Sequence, residues 1–354
     1  MVQYQRIAEN MINSNDTTIG ELFKELVDVR NEIAKERGYS DYAEYAYDEI
    51  YGRDYATADA EKLHNNIKKI LAPVSSELSS EVAMNTHGEG YHTADEVIAF
   101  LDECAGKISP ELKTSYDYMI NNHLYDIEQS ETKMMRNAYT INLGKYNSPF
   151  VFLYYPSVGT MVHEFGHFNH MLYCNDDGKS NKDVAEIHSQ GLELLCTEYY
   201  ESIYKERADV MRMYTVSNIL SAIVQGCMVD EWETAVYKNP DMTVQEYDKL
   251  FAKLTEEYCI EGIGSHEWAK ISHPFLSPMY MISYSTSGIA SMEIWEMSQK
   301  NRDKAIDRYM RLTASDTADG FENVLDRCGL SSIFSNGTLK DISKTIEKQF
   351  LSEK

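Results

Sequence analysis

The stretch Val162-His163-Glu164-Phe165-Gly166-His167-Phe168-Asn169-His170 decides how this chain is read. On a helix, positions i and i+4 lie on one face, one turn apart, so His163 and His167 can grip a single tetrahedral zinc ion. Glu164 stands beside them, where a carboxylate can take a proton from a water activated by the metal. Gly166 is disfavoured in a helix by about 1 kcal/mol relative to alanine. A residue that local stability disfavours points to close packing or backbone approach at that position.

A catalytic zinc usually keeps three protein ligands and one solvent position. Downstream, Cys174 to Lys182 has loop composition. The next helix carries Val184-Ala185-Glu186-Ile187-His188-Ser189-Gln190-Gly191-Leu192-Glu193. Glu186, in its first turn and flanked by apolar residues, is the expected third ligand. His188, Glu193 and His170 compete for the role, and His170 reads equally as a supporting donor or a packed core histidine.

Outward from the motif the chain reads as helical. Apolar residues at helical spacing mark 18–37, with Gly38 as a stop. A short tyrosine-rich helix is expected over 41–50. Thr57 starts a long helix that Pro73 should kink or break. Thr93 with Glu96, and Thr243 with Glu246, form capping-box patterns. Further helices are expected over 111–127, 207–236, 243–258, 278–299, 302–313 and 338–350. Only 137–155 differs: Asn137 to Leu143 alternates, Gly144 to Pro149 supplies turn chemistry, and Phe150 to Tyr155 is a second β run. The expected fold is mainly α, a zincin-like helical catalytic domain with one small hairpin or sheet beside the metal-binding helix. As one catalytic domain it would comprise a helical lobe over 1–130 and a zinc-binding core over 131–354.

The motif, followed by Glu186-Ile-His-Ser189-Gln190-Gly-Leu-Glu193, resembles the thimet oligopeptidase and oligoendopeptidase F family of zinc metallopeptidases. That family reads HEFGHxxH and then E-x-x-S-Q-x-x-E. The resemblance implies one zinc ion on His163, His167 and Glu186, with Glu164 as general base. A third block, His273-Pro-Phe-Leu-Ser-Pro-Met-Tyr280-Met-Ile-Ser-Tyr284, is similar to a family segment whose histidine and tyrosines donate hydrogen bonds to the bound peptide. It implies that role for His273, Tyr280 and Tyr284. Pro274 and Met279 replace aromatic residues of the family pattern. Arg30 to Tyr42 and Ala138 to Ile141 also look like the family. Members carry a longer N-terminal helical lobe, so a motif at 163 implies a short form with a more open channel. A homodimer is one way to supply the missing lobe.

Composition bounds the partners. The 354 residues carry 33 Lys+Arg against 57 Asp+Glu, a net charge of −24. Such a field repels phosphate backbones and anionic lipid, so neither nucleic acid nor a membrane surface is expected. Short peptides are the expected substrates, and the edge of the hairpin, with Gly144 and Tyr146, is a candidate for pairing with their backbone. The six cysteines are scattered and read as reduced thiols. Met1 to Asn15 lacks the apolar core of a signal peptide, which makes the cytoplasm the expected location. Two other readings fit the motif: a non-catalytic zinc-containing peptide-binding fragment, and a zinc hydrolase of the dipeptidase or aminopeptidase type.

Overall fold

The fold is that of a computed structural model, which describes residues 17–86, 88–128, 138–174, 181–315 and 320–352. The readings made for Met1 to Asn15, for Asn137 and for the loop interior 175–180 lie outside the described residues.

The α-helices, in chain order, begin with α1 (Thr17–Glu36), α2 (Tyr42–Tyr45), α3 (Thr57–Asn85), α4 (Ala94–Ile108) and α5 (Pro110–Asn121). Three strands follow: β1 (Tyr125–Asp126), β2 (Tyr139–Leu143) and β3 (Ser148–Phe152). Then come α6 (Val158–Cys174), α7 (Lys182–Cys196), α8 (Tyr200–Tyr204), α9 (Ala208–Lys238) and α10 (Val244–Glu257). The chain closes with α11 (His273–Leu276), α12 (Ile282–Lys300), α13 (Arg302–Thr313), α14 (Phe321–Cys328) and α15 (Asn336–Ile346). Among the described residues no helix is long and apolar enough to cross a membrane. The architecture is mainly α with one small sheet, as the hydrophobic spacing predicts.

Local chemistry accounts for the helix ends. Both capping boxes form, with Thr93 and Glu96 starting α4 and Thr243 and Glu246 starting α10. Ser109 caps α5 and Pro110 occupies its first turn, where a missing N–H costs nothing. Gly329 ends α14 at φ 69°, a left-handed conformation that favours glycine.

Three expectations need correction. Pro73 does not break α3, which runs from Thr57 to Asn85. Proline removes one hydrogen bond, and buried Leu71, Ala72, Val74 and Leu78 hold the helix on either side of it. The helix expected over 111–127 ends at Asn121, because His123 turns the chain at φ 52° and Tyr125 enters the sheet. The helix expected from 278 starts at Ile282, because Met279 sits at φ 63°.

The chain divides into two compact units. The first comprises Met1–Ser76 with Ala222–Ser285. Its core is aromatic: Phe23 stacks on Trp232 at 5.5 Å, Trp232 meets Trp268 at 5.1 Å, and Tyr247 and Phe275 close the cluster. The second comprises Glu77–Ser221 with Thr286–Lys354. There the sheet has the order β1-β3-β2. β2 pairs antiparallel with β3, Tyr139 opposite Phe152 and Leu143 opposite Ser148, while β1 adds a short parallel pairing on the other side of β3. The expected hairpin is therefore two strands of a three-stranded sheet. It lies against α6, and α6 packs on α7.

Candidate metal centre

The geometry of the second unit starts at the N-terminus of α6. The Glu89 carboxylate, from the loop before α4, accepts the N–H groups of Val158 and Gly159 and the hydroxyls of Ser157 and Tyr204. A carboxylate is favoured at a helix N-terminus, where backbone donors are otherwise unsatisfied. Arg207 ties the same loop through Gly88 O at 2.7 Å. Nothing local in the sequence announces Glu89, since its partners are distant in the chain.

Along α6 the motif splits by face. Phe165 and Phe168 are fully buried and their rings stack at 6.0 Å. His163 and His167 turn the other way, with side chains 30% and 18% exposed. Gly166 is where α6 meets the backbone of α7: a Cβ there would stand 2.7 Å from Ser189 Cα and 2.8 Å from His188 C. The close approach expected from the sequence is thus present, and it brings Glu186 to the histidines.

Glu186 Oε2 lies 3.3 Å from His163 Nε2 and 3.5 Å from His167 Nε2. Zinc bonds of about 2.05 Å to nitrogen or oxygen place tetrahedral ligand atoms roughly 3.3 Å apart. The spacing fits a shared ion, and these three residues are a possible metal-holding group among the described residues. Ser189 Oγ donates to Glu186 Oε2 at 2.9 Å and helps to orient that oxygen. On the far side of the ring, His163 Nδ1 is 2.7 Å from Glu193 Oε1. An N–H donated from Nδ1 to Glu193 leaves the Nε2 lone pair directed at the centre.

The electrostatics favour a cation. Burial works against the charge on Glu186, yet hydrogen bonds from His163 and His167 hold its carboxyl well below the usual carboxylate range. Burial also disfavours a charged His163, but Glu186 and Glu193 outweigh it and raise that imidazole well above its ordinary value. Two carboxylates around one imidazole make a site that gains from positive charge, and a divalent ion supplies it without a proton.

Glu164 is buried, at 7% exposure, and its Oε2 accepts the hydroxyl of Thr140 on β2 at 2.7 Å. A cleft of about 610 Å³ opens beside it, lined by His163, Glu164, Glu193, Tyr155, Tyr214 and Asn218 among others. The competing candidates go elsewhere. His170 and His188 stack on each other at 3.7 Å, both buried, with His170 Nδ1 3.2 Å from Thr313 O. Burial and the neighbouring His170 and His167 hold the His188 imidazole neutral, well below its usual range. Glu193 joins the centre through His163. Tyr146 is 72% exposed at the hairpin turn, and the space above Gly144 is open.

His273, Tyr280 and Tyr284 lie in the first unit and form a cluster. Tyr284 Oη is 3.4 Å from His273 Nε2, and the tyrosine rings are 5.3 Å apart. Burial lowers the His273 pKa and keeps the imidazole neutral. The backbone carrying them is held by residues the sequence does not single out for this. Arg30 donates to Pro274 O at 2.7 Å and Phe275 O at 2.6 Å. Arg53 donates to Met279 O at 2.9 Å, and Glu233 accepts the Met279 N–H at 3.0 Å. Burial pushes the Glu233 carboxyl up to about 8.

Comparison with known proteins follows the same lines. A sequence model of peptidase family M3 matches residues 107–313. Oligopeptidase PepF of Bacillus subtilis (strain 168) is 25% identical over 190 residues, 48% of this chain and 28% of that protein. Among solved structures, a candidate oligoendopeptidase F superposes with TM-score 0.82 at 23% identity, covering 95% of this chain and 66% of its own. PZ peptidase A with an inhibitor gives 0.80 at 23% identity, covering 94% and 65%. These likenesses establish a shared fold. The chain spans less than a third of the curated relative and about two thirds of these solved chains.

Proposed function

Because the chain belongs to peptidase family M3, we propose that it hydrolyses peptide bonds in short peptides with one zinc ion on His163, His167 and Glu186. The observation that carries this reading is the meeting of Glu186 Oε2 with both Nε2 atoms at tetrahedral spacing, with Glu164 and His163 lining one cleft. Two imidazoles and one carboxylate suit zinc, and three ligands leave one position open. When bound, the ion supplies Lewis-acid polarisation of the scissile carbonyl and lowers the pKa of the attacking water.

The remaining steps belong to side chains. Glu164 takes the proton from the water as it attacks the peptide carbon, then passes it to the leaving amine. Glu193 and Ser189 keep His163 and Glu186 oriented. β2 is an edge strand among the described residues, so an extended peptide can add to the sheet beside it by backbone pairing, whatever its sequence. The 610 Å³ cleft would then receive side chains of the substrate. His273, Tyr280 and Tyr284 are proposed as hydrogen-bond donors to the bound peptide and its oxyanion, following the family resemblance.

A quenched fluorogenic oligopeptide tests the function. Turnover should cease on treatment with a chelator and return with stoichiometric zinc. Full turnover by metal-stripped protein would end the zinc reading, and activity confined to substrates with a free N-terminus would reassign the chain to aminopeptidase-type chemistry. For the tyrosines, Tyr284→Phe should lower kcat by roughly ten- to a hundredfold with KM little changed, the mark of an interaction made in the transition state. An unchanged kcat would return Tyr284 to a packing role.

A further inference from the structure

Thr140 is half-buried on β2, and its neighbour Ile141 is exposed. Side chains alternate along a strand, so the two point to opposite faces of the sheet. The Thr140 hydroxyl lies 2.7 Å from Glu164 Oε2 and 2.8 Å from the main-chain O of the same residue. A hydroxyl has a single proton to give. The carboxylate is the stronger acceptor, because a charge-assisted hydrogen bond is roughly twice as strong as a neutral one. The main-chain oxygen can already accept within α6. The proton therefore goes to Oε2, and Oε1 is not engaged by Thr140.

The geometry points to Thr140 as a positioning residue for Glu164, holding the carboxylate in one rotamer with Oε1 free for proton transfer. The inference rests on the general-base reading of Glu164 given above. A free glutamate explores many rotamers, and a general base must lie within hydrogen-bond reach of the proton it takes. Thr140 comes from the same edge strand that would pair with the substrate backbone. Strand and base are thereby fixed to each other, so a peptide set in register on β2 is set in register with Glu164. A purely structural role would predict otherwise. Valine has nearly the same shape and is as good a β-former, so a threonine that only builds the strand can be replaced by valine without loss.

The test uses the zinc-loaded full chain and the variants Thr140→Val and Thr140→Ser. Thr140→Val should lower kcat on the order of ten- to a hundredfold, the scale of a misplaced catalytic group, with zinc content unchanged. KM should stay within about threefold, since ground-state binding is untouched. Thr140→Ser, which keeps the hydroxyl, should restore most of the rate. A second readout is independent of turnover: the fall in thermal midpoint caused by Thr140→Val should be smaller when Glu164 is already alanine, where the hydroxyl keeps only the main-chain oxygen of residue 164 as its acceptor. Full activity in Thr140→Val, or an equal midpoint shift in both backgrounds, overturns the role of Thr140 and leaves the peptidase reading standing. A zinc-loaded parent chain that cleaves no peptide overturns that reading, and this role with it.

Discussion

Glu164→Gln is expected to bind zinc as the parent does and to lose peptide hydrolysis, with kcat lower by about 10²–10⁴-fold. Glutamine keeps the shape of the side chain and a carbonyl oxygen that can still accept from Thr140, now 2.7 Å from Oε2. The three atoms that meet at the candidate metal centre belong to His163, His167 and Glu186, so the substitution leaves them in place. What disappears is the carboxylate proposed as the general base. Stability should not suffer, because a neutral amide replaces a carboxylate that is 7% exposed and burial of a charge is costly. Metal analysis by mass spectrometry, set beside single-turnover kinetics, separates loss of chemistry from loss of zinc. Turnover by the Glu164→Gln variant within about tenfold of the parent would remove Glu164 from the mechanism.

Much of this centre is legible in the sequence because its parts are helical and periodic. A helix turns about 100° per residue, so 186 and 193, seven apart, share a face, while 188 lies about 200° from 186. That arithmetic separates the candidates: Glu193 reaches His163, and His188 turns inward to stack on His170. Gly166 is legible for a different reason, as a residue that only a tertiary contact explains, and the contact is the backbone of His188 and Ser189. The groups that escape notice are joined by long-range contacts without local pattern. Thr140 reads as an ordinary strand residue. Glu89 caps α6 from 69 positions away in the chain. The two-residue β1 is too short for a period of two to show, so periodicity does not announce the third strand. The break allowed for at Pro73 does not occur, because a single lost hydrogen bond is weighed against buried neighbours that the sequence does not display as a set.

Gly166→Ala should be among the most damaging conservative changes in the chain. In an isolated helix, replacing glycine by alanine stabilises by about 1 kcal/mol. At 166 the sign reverses. The new Cβ would sit 2.7 Å from Ser189 Cα and 2.8 Å from His188 C, and both obstacles are backbone, which cannot swing aside as a side-chain tip can. Overpacking of this kind costs roughly 1–3 kcal/mol. The only relief is for α7 to move away from α6. α7 carries Glu186, whose Oε2 stands 3.3 Å and 3.5 Å from the two imidazoles, and Glu193, which orients His163. A retreat of about half an ångström therefore opens the candidate metal centre as well as the core, since a zinc site would tolerate deviations of only about 0.2 Å in its bonds. Zinc affinity and thermal midpoint should fall together. Gly159→Ala, earlier on α6 where a Cβ meets nothing within 4 Å, is the control and should leave the midpoint unchanged or higher. A Gly166→Ala protein that melts with the parent and holds zinc as tightly would mean that the α6–α7 contact does not set the spacing of the ligands.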